Sequence, residues 1–114
     1  MAEMMHKNLA AGRWGTFSLM TQLANIGSEV SRAIAWHRKS VLPTRDKAID
    51  RALELFDLTI ADARWKNRLK EITRARETVC DLFYGDNIYQ TSFASLERYF
   101  LQFGIAARCR QTSE

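Results

Sequence analysis

The sequence predicts an all-α protein, an up-down-up-down four-helix bundle, on three observations. Apolar residues return at three- and four-residue steps through successive segments. Breakers are scarce, with one Pro and five Gly in 114 residues. A hydrophobic share of 46% against 26% charged describes a packed domain rather than a tail. Four helices on short connections pack most simply antiparallel, a rearranged helical order being the alternative. A single domain of this length closes one core without needing disulfides or metal.

The first helix is expected from about Phe17 to Arg38, starting at Gly15 or Thr16. Leu19, Met20, Leu23, Ile26, Val30, Ala33, Ile34 and His37 share one face of it. Lys39 to Thr44, with Pro43, reads as a break, and Thr44 as the N-cap of a second helix to about Ile60. Its core face is Ala48, Ile49, Ala52, Leu53, Phe56, Thr59 and Ile60. Asp62 suits the cap of a third helix, Arg64 to Tyr84, with Trp65, Leu69, Ile72, Val79, Cys80 and Phe83 inward and Gly85 as its stop. Thr91 or Ser92 caps the last, which turns Phe93, Leu96, Tyr99, Phe100, Phe103 and Ala107 to the core and frays after Arg108. Residues 1–14 are expected to be a flexible segment, 15–110 the domain, and 111–114 a flexible end.

Cys80 and Cys109 have no C-x-x-C spacing and read as reduced, mostly buried thiols of a cytoplasmic protein. No apolar run approaches the roughly 20 residues that span a bilayer, so no membrane partner is expected. Met1 to Arg13, with Glu3, His6 and Lys7, lacks the apolar stretch of a secretory signal. The net charge of +4 permits nucleic acid or an acidic protein as a partner without demanding either.

Two helices carry more apolar surface than a lone bundle needs. Ala94, Leu101 and Ile105 form a second patch on the last helix. Ala24, Ser28, Ser31 and Ala35 make a seam of small side chains on the first, with Gly27 and Gly104 as further points of close approach. Such surfaces usually mark contacts, so a homo-oligomer is expected; the alternative is that both are covered within one chain.

Arg32 and His37 form an R-x4-H arrangement that resembles the motif of HEPN-type ribonucleases, helical domains that dimerise to bring Arg and His pairs onto RNA. In such a site histidine moves protons and arginine steadies phosphate charge. Here roughly 140° of helix separates the two, so they would converge only at a seam between chains. A structural histidine near the helix C-terminus is the other reading. Asp46, Asp50, Glu54 and Asp57 line the second helix, and Glu54–Asp57 has the E-x-x-D form of all-α nucleotide pyrophosphatases. Those enzymes also need an E-x-x-E that this chain lacks, so no metal and no cofactor are expected. The third helix opens with Arg64, Lys66, Arg68, Lys70, Arg74 and Arg76, opposed only by Glu71. Arg64, Arg68, Lys70 and Arg74 are the contacts expected for RNA or DNA; ion pairs to the acidic second helix would explain the same charges. Arg76 falls within the apolar line, where Glu29 or Asp57 is its natural partner. Gln22, Asn25, Glu29, Arg32 and Trp36 share a polar face that serves either as a binding site or as a register lock.

Asn25–Val30, Glu54–Thr59 and Arg98–Phe103 resemble segments of small bacterial proteins with no assigned activity. In helix number and basic character the chain is also similar to the four-helix bundles of the ribosomal-RNA intervening-sequence protein family. The accessory proteins of diversity-generating retroelements, ring-like homo-oligomers that bind nucleic acid and a reverse transcriptase, are comparable. That likeness is one of fold and transfers no residues. The leading expectation is a non-enzymatic, homo-oligomeric interaction module that meets nucleic acid or an acidic protein. A ribonuclease using Arg32 and His37 and a purely structural or antitoxin-like protein-binding module are the alternatives.

Overall fold

The computed structural model describes residues 12–112, so the mobility expected of residues 1–11 and 113–114 lies outside the described residues. Four α-helices, α1 (Leu19–Arg38), α2 (Leu42–Ile60), α3 (Leu69–Tyr84) and α4 (Phe93–Thr112), are joined by a tight turn after α1 and by longer connections after α2 and α3, and no strand occurs among the described residues. Short 3-10 segments at Trp14–Thr16 and Ala63–Arg68 precede α1 and α3. Neighbouring helices run in opposite directions, as paired contacts show. Arg45 of α2 meets His37 near the end of α1, whereas Asp62 beyond the end of α2 meets Gln22 near its start. Asp57 pairs with Arg76 and Asp46 with Tyr84, which sets α2 against α3. Phe93 packs on His37, and Phe100 lies against Gly27, which sets α4 against α1. The expected up-down-up-down bundle follows.

Local chemistry fixes each end, often a residue or two from where sequence placed it. The N-cap of α1 is Ser18, whose Oγ accepts from the Thr21 N–H at 3.2 Å; Gly15 and Thr16 belong to the 3-10 turn instead. At the far end Ser40 takes φ 60°, Val41 N–H donates to the Trp36 carbonyl at 3.0 Å, and Ser40 N–H donates to His37 at 3.0 Å. This pair of bonds is a Schellman stop with serine in the place glycine usually fills. Pro43 does not break the helix. It sits in the first turn of α2, where its missing N–H costs nothing, so α2 begins at Leu42 and Thr44 is already helical. Asp62 caps as expected, accepting from Arg64 N–H at 3.1 Å, but the backbone continues as 3-10 through Arg68 before α3 starts. Ser92 caps α4 by accepting from Ser95 N–H at 3.1 Å. Helix α4 runs through Thr112, so it does not fray at Arg108.

The core is the apolar face of all four helices: Leu23, Ile26, Val30 and Ile34 against Ile49, Ala52, Phe56, Ile72, Val79, Leu96 and Phe100. Leu55 and Ala75 join it although the sequence stripes omitted them, while Leu53, Trp65, Cys80 and Tyr99 are only half-buried. Trp14, assigned to the flexible segment, is 3% exposed and donates its indole N–H to Thr59 Oγ1 at 3.1 Å. The domain therefore begins before residue 15. Cys109 is exposed rather than buried, and neither cysteine forms a disulfide. No helix among the described residues is long and apolar enough to cross a membrane.

Candidate interface

Ala24, Ser28 and Ser31 of the small seam of α1 and Leu101 of the second patch of α4, legible separately in sequence, line one surface, whereas Ala35, Ala94 and Ile105 do not. A groove of about 460 Å³ runs between the helices, lined by Ala24, Gly27, Ser28, Ser31, Glu97, Arg98, Phe100, Leu101 and Gly104. Its floor is set by close approach of the helices: a Cβ on Gly27 would lie 2.7 Å from Phe100 Cβ, closer than real atoms come. Gly104 differs. A Cβ there would meet nothing within 4 Å among the described residues. A mid-helix glycine costs about 1 kcal/mol relative to alanine. Leu101 is 56% and Ile105 48% exposed. Ile105 and Ala35 are both exposed, flanking the groove rather than lining it.

Arg32 and His37 are not brought together. Arg32 is exposed and donates to Glu29 Oε1 at 2.9 Å, one turn back on α1. The second Glu29 oxygen is buried without a hydrogen bond, and Arg51 of α2 lies 3.8 Å from it, so the carboxylate stands between two guanidiniums. His37 faces the bundle instead, its ring 4.8 Å from Phe93 and 5.9 Å from Phe83. Arg45 lies 3.0 Å from His37 Nδ1, which therefore accepts, leaving the ring proton on Nε2.

The basic segment is largely answered from within. Arg64 pairs with Asp62 at 2.7 Å, donates to the Phe17 carbonyl at 2.8 Å and lies 4.3 Å above the Trp65 ring. That guanidinium, more than any other group, holds the Asp62 carboxyl down to about 2, and Asp62 in turn raises Arg64. Arg68 pairs with Glu71 at 2.7 Å, and Arg74 lies 4.0 Å above Tyr89. Tyr89 donates to Glu77 at 2.8 Å, a bond that raises its pKa. Arg76 finds Asp57 at 3.0 Å, one of its two expected partners. Lys66 and Lys70 are exposed.

The acidic line of α2 is dispersed in the same way. Asp46 accepts from Tyr84 Oη at 2.7 Å and from Arg45 at 2.8 Å, the tyrosine first and the arginine second lowering its pKa. Burial, then Asp46, pushes the Tyr84 hydroxyl up to about 12. No group of His, Cys, Asp and Glu among the described residues has the arrangement of a metal site.

Of the polar set on α1, Gln22 proves to be a buried junction. Its Nε2 donates to the Trp14 carbonyl at 2.9 Å and to Asp62 at 3.3 Å, and its Oε1 accepts from Trp65 Nε1 at 2.9 Å. One side chain thus ties the start of the domain and the α2–α3 turn to α1. Sequence placed Gln22 on a polar face; nothing local showed that Trp14 and Trp65 would close over it. The class so defined is an all-α four-helix bundle whose buried polar groups are matched to one another save one Glu29 oxygen, with a groove open between α1 and α4 among the described residues. Compared with known proteins, the chain matches no family model, no curated protein and no solved structure.

Proposed function

We propose that this chain is a non-enzymatic, homo-oligomeric helical-bundle module that associates through its α1–α4 face. One observation carries the reading: the small residues Ala24, Ser28 and Ser31 and the exposed Leu101 border a single open groove. Exposed apolar surface of this kind marks contacts on soluble proteins. Nucleic-acid binding has weaker support, because Arg64, Arg68 and Arg74 are engaged by Asp62, Glu71 and Tyr89. The ribonuclease reading has less still, because Arg32 and His37 serve different partners.

Light scattering behind size exclusion tests the proposal over a hundredfold range of concentration. The expected mass is a multiple of 13.2 kDa. Burying a leucine contributes roughly 1.5–3 kcal/mol, so Leu101→Glu should weaken association by at least tenfold. A mass of one chain at every concentration would overturn the proposal. Filter binding of RNA and DNA at two salt concentrations separates the remaining partner class, since phosphate contacts weaken steeply with salt.

A further inference from the structure

We draw no further inference here: the strongest candidate, the cleft of about 310 Å³ between α1, α2 and the turn before α1, carries nothing, because Glu29, the acidic group that lines it, already accepts from Arg32 at 2.9 Å and keeps its second oxygen buried with Arg51 3.8 Å away, so nothing in the structure shows what would occupy it.

Discussion

Replacing Gln22 by methionine isolates what the buried junction contributes. The two side chains are both unbranched and similar in length, and both favour helix, so packing and propensity change little. What changes is polarity. The Trp14 carbonyl loses its donor at 2.9 Å and the Trp65 indole N–H loses its acceptor at 2.9 Å. Gln22 is fully buried, so solvent does not replace it in place. Each orphaned group costs roughly 1–3 kcal/mol. The half-buried position of Trp65 puts its share at the low end. The apolar methionine recovers about 1 kcal/mol through burial. The net loss is about 1–3 kcal/mol. With an unfolding entropy near 2.1 cal/mol/K per residue over 114 residues, that corresponds to roughly a 4–13 °C fall in Tm. Circular dichroism melts at one fixed protein concentration measure it, since association would otherwise shift Tm. A fall equivalent to less than about 0.5 kcal/mol would refute the reasoning, showing that the Trp14 turn and the α2–α3 turn find other partners without the amide.

Two further perturbations test local features. Ser40 holds φ 60° at the end of α1, a conformation that costs an L-residue about 1 kcal/mol and glycine almost nothing. Ser40→Gly should therefore raise stability by about 0.5–1 kcal/mol in urea titration, and a destabilised variant would contradict the Schellman assignment. Asp62 has its pKa held at about 2, first by Arg64, so it stabilises the fold above its unfolded value near 4 and ceases to do so as pH falls toward 2. The exposed Arg64 side of the pair reduces that contribution to about 1 kcal/mol. Asp62→Asn should accordingly be less stable than wild type at pH 6 and nearly equal to it at pH 2; a constant gap across that range would exclude the ion pair as the cause.

Periodicity was enough to find the helices, because each buries a stripe repeating at the helical step. Their ends were less legible for a definite reason. Gly15, Thr16 and Ser18 are all acceptable starts to α1, and only backbone geometry selects Ser18. Pro43 carries two meanings, stop and first-turn residue, and the Schellman stop at Ser40 decides for the second. Leu55 and Ala75 escaped because a single stripe underestimates a helix packed on two neighbours. Trp14 escaped for the opposite reason: it precedes the periodic pattern, and its partner Thr59 lies 45 residues away. The surplus apolar residues of α1 and α4 were visible one helix at a time. Their union into one groove depends on Gly27 letting Phe100 approach, a tertiary contact that no local pattern encodes.

A catalytic centre needs polar groups whose working ends remain uncommitted and converge on space a substrate can enter. Most polar groups at the centre of this bundle are committed to one another, Glu29 Oε2 being the exception. Gln22 is spent on Trp14, Asp62 and Trp65; Arg45 on Asp46 and His37; Tyr84 on Asp46. Apart from Arg45–Asp46, which lies within α2, the links join two helices or a helix and a turn, so their combined effect is to fix how α1, α2 and α3 sit together. A rigid scaffold of this kind holds its surface in one shape, which lowers the ordering cost when another surface docks. Beside that scaffold, Leu101 of the α1–α4 groove and the neighbouring Ile105 are exposed, and a Cβ on Gly104 would meet no atom of the described residues within 4 Å. Leu101 and Ile105 are therefore apolar surface that the described helices leave wet, as they do Ile88 and Leu42.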